Sequence, residues 1–227
     1  MIRLALSMFA TSALAADPEV PDAAAAEEVV VEEAGPVTYT LEPAASWLYV
    51  VVYNDPAGLA SRFGHDHGIK ATEFSGTVVW GGDAANCSVK IDVPVSGLQP
   101  DPAGMRERAG IDPDGAVGEG SLKTIRANFL KKSQLFADSF ATISYEATSC
   151  SGVEGTVDVA GTLTIRGTAK QVKVPMQVTA DGSTFKASGT FSATHEDFGF
   201  KPFTNLGGAL RNKTDLKFVV NVVGKAS

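Results

Sequence analysis

The sequence predicts an all-β fold of eight short antiparallel strands, closed as a barrel or stacked as a sandwich, with a single helix. Three observations carry this. From Tyr39 onward, apolar and polar residues alternate with a period of two, the mark of half-buried strands. Short turns such as Gly81-Gly82-Asp83, Ser151-Gly152 and Asp181-Gly182 separate the alternating runs. The alternation breaks once, between Pro100 and Asp138.

The first strand is Trp47 to Tyr53. The second presents Phe74, Gly76, Val78 and Trp80 on one face, the third Val89, Ile91, Val93 and Val95, and the fourth Ile143, Tyr145 and Ala147. The fifth presents Val157, Val159, Gly161, Leu163 and Ile165. In the sixth, Val172, Val174, Met176 and Val178 alternate with Gln171, Lys173, Pro175 and Gln177. Phe191, Ala193 and His195 form the seventh face, and Leu216, Phe218, Val220 and Val222 the eighth. Inside the interruption, Asp101 to Gly120 holds two Pro and five Gly and reads as loop, mobile at Asp112-Pro113-Asp114-Gly115. Ser121 to Phe136 carries Leu122, Ile125, Phe129 and Leu130 at helical spacing and is expected to be the helix. In such a chain it most economically covers an open end or a seam.

An eight-stranded barrel has an interior just wide enough to be filled by side chains or to hold one slender ligand. The faces above are mostly Val, with Phe, Trp and Gly at intervals. Val and Gly take less volume than Leu or Phe, so composition leaves both an open and a filled interior standing.

The chain has 227 residues, 44% hydrophobic and 20% charged, with 23 Gly and 11 Pro, which excludes a wholly disordered, collagenous or multispanning membrane protein. Its net charge of −7 is unevenly distributed. Residues 16–36 hold seven acids and no base, whereas 37–227 hold 18 bases and 19 acids. No basic stripe argues for nucleic acid.

The start, Met-Ile-Arg, an apolar run and Ala13-Leu14-Ala15, reads as a secretory signal over 1–15, cut after Ala15. Residues 16–36, mainly Ala, Val, Glu and Pro without an aromatic residue, are expected to be a disordered acidic spacer. The functional domain is then 37–227, exported to the periplasm, with no transmembrane segment in the mature chain and a monomeric or weakly dimeric state. Cys87 and Cys150 are the only cysteines, and in an oxidising compartment they are expected to pair. Strict alternation places Cys87 on the apolar face and Cys150 on the polar one, so the bridge requires a bulge or twist at one end.

Three stretches resemble the YceI-like family of exported lipid- and polyisoprenoid-binding proteins. They are Gly64-His65-Asp66-His67-Gly68-Ile69 with Phe74-Ser75-Gly76, similar to a Gly-His-Asp-His branch of that family; Gly161-Thr162-Leu163-Thr164-Ile165-Arg166-Gly167-Thr168 with Val172 to Pro175; and Asp197-Phe198-Gly199-Phe200-Lys201-Pro202-Phe203 with Gly207-Gly208-Ala209-Leu210. Ala169 stands where the family usually has Thr. The likeness spans about 39–224. It implies a lipocalin-like eight-stranded barrel, the helix lying over it, whose interior holds a long isoprenoid or similar amphiphile.

The expected lining is Val78, Trp80, Val89, Ile91, Ile143, Tyr145, Leu163, Val174, Met176, Phe191, Leu216 and Phe218. His65, His67 and His195 are the only histidines. They are read first as structural groups in turns flanked by the freely rotating Gly64 and Gly68, next as contacts to a lipid head group, and last as metal ligands. A His-x-His pair without a third ligand at set spacing is a weak metal signal. No Gly-x-Ser-x-Gly elbow or activated cysteine motif supports nucleophilic catalysis, so no enzyme and no cofactor is expected. The leading expectation is an exported carrier or store for a polyisoprenoid, a quinone-like molecule or a fatty lipid. Two others stand beside it: a metal- or haem-handling protein using His65, His67 and His195, and a non-binding envelope domain with a filled core.

Overall fold

The computed structural model describes residues 35–82, 87–153 and 155–227. The signal segment 1–15, spacer residues 16–34 and Asp83 of the first turn lie outside the described residues.

Among the described residues twelve strands are formed: β1 Val37–Leu41, β2 Trp47–Asn54, β3 His67–Ala71, β4 Ser75–Trp80, β5 Cys87–Pro94, β6 Leu98–Pro100, β7 Thr142–Val153, β8 Thr156–Ile165, β9 Thr168–Ala180, β10 Thr184–Thr194, β11 Thr204–Asn205 and β12 Leu210–Ala226. Eleven of them make eight staves, because three staves are each bent into two strands, and β11 pairs only with the start of β12. β1 and β2 lie one after the other along β12, with Tyr39 opposite Ala226 and Trp47 opposite Asn221. β4 and β3 pair with β1 and β2, and β5 and β6 pair with β4 and β3. The ring then runs through β7, β8, β9, β10 and β12 and back to β1. The result is a closed, antiparallel, up-and-down barrel, and each stave corresponds to one of the eight runs of alternation.

The bends are built from specific bonds. At residues 42–46 the strand ladder is interrupted by a short 3₁₀ turn opened by Pro43. There the buried Ser46 Oγ donates to the Glu42 carbonyl (2.7 Å) and accepts from the Val223 N–H (3.0 Å), standing in for a ladder bond. The second and third bends lock together: the Thr72 N–H and hydroxyl both donate to the Gly97 carbonyl.

Two expectations about the interruption are corrected. The main helix, α2 (Glu119–Leu130), stops six residues before Phe136. Lys131 takes extended backbone, and Phe136 turns into the left-handed region (φ 51°) as the chain doubles back, so that Leu135 and Ala137 pack on the core. The stretch 101–120 is not all loop, since it contains a short helix, α1 (Met105–Ala109), whose Met105 is fully buried. α1 covers the outer face of β2. There Tyr49 and Val51 form a second small core with Met105 and Ile111, while Leu48, Val50 and Val52 face inward. The run Trp47–Tyr53 is therefore apolar throughout because both of its faces are covered. The Asp112–Gly115 turn is pinned rather than loose: Asp112 Oδ1 accepts from the Asp114 N–H, and the Arg106 guanidinium donates to the Asp112 carbonyl.

Gly161 to Thr168 is a strand end followed by a hairpin turn. Arg166 and Gly167 both have positive φ (52° and 72°) between β8 and β9, as a tight two-residue hairpin turn requires.

Candidate functional site

The barrel encloses a cavity of about 710 Å³, walled mainly by apolar side chains. All twelve residues expected to line it do so. Two wall glycines create room: a Cβ on Gly161 would lie 2.5 Å from the Tyr145 ring and hydroxyl, and one on Gly189 would collide with Met176. Tyr145 and Met176 therefore lie flat over the wall where bulkier neighbours would push them into the lumen.

One end is tightly closed. Tyr39, Trp80, Val178, Phe185 and Val222 are buried there, with the Tyr39 and Phe185 rings 5.5 Å apart. At the other end β6 ends the strand path with β3 as its strand partner, and α2 covers the gap. Arg126 holds the helix in place by donating to the carbonyls of Leu98 (3.2 Å) and Ser96 (2.6 Å). Ile125 and Phe129 of α2, with Phe63 and Phe203 from the loops and Leu210 at the start of β12, border this end of the cavity. The helix is thus a seam cover and part of the mouth.

Cys87 and Cys150 are bonded, with Cα atoms 6.0 Å apart. The bulge that their parity demands is present: the register of β7 against β8 slips between Ala147 and Ser149. Thr148 is the extra residue, and it returns Cys150 to the inner face that Tyr145 and Ala147 occupy before it.

The three histidines sit at the mouth end and line the cavity, but the structure gives them separate roles. His67 opens β3, and its Nδ1 donates to Asp101 Oδ2 (2.8 Å). Asp101 Oδ1 accepts from the Gly68 N–H (2.8 Å), and Arg106 donates to Asp101 Oδ2 and to the Asp66 carbonyl (2.9 Å each). Burial alone would raise the Asp101 carboxyl, but the bonds from His67, Gly68 and Arg106 outweigh it and hold the pKa below the usual carboxylate value. His195 departs from expectation in its backbone: β10 ends at Thr194, and His195 opens a 3₁₀ turn. It is buried, and its Nδ1 donates to the Thr214 carbonyl (2.8 Å), which leaves Nε2 as the acceptor. Burial lowers its pKa below the ordinary histidine value. His65 forms no such bond. It borders both the cavity and an outer polar hollow of about 340 Å³ lined by Tyr53, Asp66, Arg106 and Lys213.

The glycines flanking this motif serve close approach rather than backbone freedom, since neither has positive φ. A Cβ on Gly68 would press on Met105 (2.7 Å), and one on Gly64 would collide with Asn54. Among the described residues, no group of three or more His, Cys, Asp or Glu side chains is placed to hold a metal ion. Two buried donors on the wall, Trp80 Nε1 and Tyr145 OH, have no hydrogen-bond partner. Sequence reasoning missed Asp101, Arg106 and Arg126. Asp101, set between Pro100 and Pro102 and next to the histidine motif only in space, gave no local signal.

The YceI-like domain matches residues 39–222 of the chain. The chain belongs to the YceI-like family. Among solved structures, Burkholderia cenocepacia BcnA is similar to this YceI-like barrel at 16% identity and a TM-score of 0.56, covering 81% of this chain and 98% of BcnA. A Campylobacter jejuni YceI protein is similar at 12% identity and a TM-score of 0.51, covering 68% of this chain and 82% of its own. Comparison with curated proteins returns no significant match. Among the described residues of the YceI-like chain, no helix is long and apolar enough to cross a membrane.

Proposed function

We propose that this protein is an exported binding protein, not an enzyme, which holds one elongated amphiphile inside the barrel and carries or stores it in the periplasm. The observation that supports this reading is the cavity: about 710 Å³, apolar, closed at one end and bordered by polar groups at the other. That volume is within the range of small-molecule sites, about 300–1,000 Å³, and it weighs against a domain with a filled core. Burying a methylene contributes about 0.8 kcal/mol, so about ten methylenes in the lumen yield about 8 kcal/mol before the cost of association is subtracted. A long chain can therefore be held with few polar contacts. A polyisoprenoid, a quinone-like molecule or a fatty lipid all fit, entering chain first with the polar end at the mouth beside His65.

His67 and His195 are occupied in structural bonds, so the reading that assigns the histidines to a metal or haem gains no support from their placement. The test is native mass spectrometry of protein purified without detergent from the cells that make it, followed by organic extraction of whatever is released. A bound mass that extracts as a lipid is the expected result. A clean ligand-free mass, together with failure of long-chain probes to bind, would overturn the proposal.

A further inference from the structure

We infer that the mouth of the barrel docks on a lipid surface through Leu59, Phe63 and Leu206. The inference rests on the reading that the cavity holds an amphiphile, and adds where the cargo is exchanged.

Four large hydrophobic side chains stand out into solvent among the described residues: Leu59 (96% exposed), Val153 (70%), Leu206 (63%) and Phe63 (60%). Val153 is alone at the end of β7. The other three belong to two segments, 55–66 and 201–213, that are tied to one another. The Ala60 N–H donates to the Ala209 carbonyl and the Asp55 N–H to the Arg211 carbonyl, at 2.9 Å each. Arg211 Nε also bonds Asp55 Oδ2 at 2.6 Å. Phe63 itself borders the cavity, as do Phe203, Asn205 and Leu210 from the second segment. Phe63 thus links these exposed loops to the apolar lumen, and Leu59 and Leu206 stand on the two segments that flank it.

Leu206 adds an independent observation. Its backbone is left-handed (φ 50°) at the tip of the β11–β12 hairpin, held by an Asn205 Oδ1 that accepts the Leu206 N–H (2.8 Å). A bulky residue in that region is strained, and such strain collects at functional positions. Here it presents a leucine to water, which folding alone does not favour. Charge selects the partner. Residues 55–66 and 201–213 hold Arg62, Lys201, Arg211 and Lys213 against Asp55 and Asp66. Asp55 is paired with Arg211, and the Arg62 guanidinium lies over the Phe63 ring at 4.7 Å. Apolar tips ringed by net positive charge suit an anionic lipid surface. Seated there, the mouth would let the cargo's chain pass from bilayer to lumen without crossing water.

The test is flotation of the full-length protein with protein-free vesicles of phosphatidylcholine containing about one third phosphatidylglycerol, in parallel with fluorescence titration by the lumen probe N-phenyl-1-naphthylamine. The wild type should float with the anionic vesicles. Leu59→Asp/Phe63→Asp/Leu206→Asp should lose binding by at least about tenfold, while Val153→Asp stays unchanged. Absence of flotation, or flotation that the triple substitution leaves intact, would overturn the inference, as would binding confined to vesicles that carry native membrane proteins. Probe uptake without flotation would sink the docking surface alone; flotation without probe uptake would sink the cargo reading instead.

Discussion

Replacing Tyr145 by Phe should stabilise the ligand-free barrel. The Tyr145 hydroxyl is buried and has no hydrogen-bond partner, and leaving a buried polar group unsatisfied costs about 1–3 kcal/mol. The ring keeps its seat over Gly161 when the oxygen is removed, so little packing is lost in return. The net expectation is a gain of about 1 kcal/mol, which for a domain of this size raises Tm by about 2–4 °C. Differential scanning calorimetry on delipidated protein measures it. A second readout comes from titration. Burial pushes the Tyr145 pKa up to about 12, above the unfolded value of about 10. The unfolded chain therefore loses this proton first, and stability declines between those two values as pH rises. Tyr145→Phe should flatten that alkaline decline. A variant less stable than wild type, with the decline unchanged, would refute the reasoning, because it would show that the hydroxyl is already bonded inside the lumen.

Three further changes probe the fold and the site. Val174→Trp projects a large ring into the cavity from the wall at a buried position; probe binding should fall at least about tenfold while stability shifts by less than about 2 kcal/mol, since the added volume enters a void. Ser46→Ala removes the hydroxyl that replaces a ladder bond at the first bend and leaves the Val223 N–H without its acceptor, so urea denaturation should show a loss of about 2 kcal/mol. Acid should destabilise the protein in two stages. Below about pH 6.5 the unfolded chain takes up a proton that buried His195 resists, and at lower pH Asp101, with its depressed pKa, gives up its bonds to His67 and Arg106, alongside the likewise depressed Asp55, Asp181 and Asp197; denaturant midpoints across that range should fall with pH, and Asp101→Asn should reduce the lower stage while weakening the protein throughout.

What could be read in the sequence depended on how far a signal reached along the chain. The inner face of β9 was legible because Val172, Val174, Met176 and Val178 alternate with exposed partners over one uninterrupted run. β1, β3 and β6 were not, being five, five and three residues long, too short for a period of two to emerge. The bulge in β7 was legible in an indirect way, since pairing Cys87 with Cys150 conflicted with their parity and called for a bulge or a twist at one end, of which the structure has the bulge. The Asp101 network was not, because His67 and Asp101 are 34 positions apart and Arg106 reaches back 40 to the Asp66 carbonyl. α1 was hidden for a related reason: its sequence, Met-Arg-Glu-Arg-Ala, forms little more than one turn, and its one buried side chain answers a demand made by Tyr49 and Val51 on a distant strand.

The three bends explain why the barrel is closed at one end and open at the other. Up to the bends, all eight staves pair in a continuous ring. Beyond them the path through β12, β2 and β3 ends at the three-residue β6, and β7 pairs with β5 but not with β6. The open edge is finished by Arg126 and α2 instead of by a strand. Stability and access are therefore assigned to different parts of the wall. Ser46 and the ring beside it hold the closed end, whereas Val174 matters for the volume that a ligand can occupy. Because the two sites share no hydrogen-bond partner, the stability changes of Ser46→Ala and Val174→Trp should add to within about 0.5 kcal/mol. Coupling well beyond that would mean that the cavity and the bend respond to each other, and that filling the lumen moves the frame that opens it.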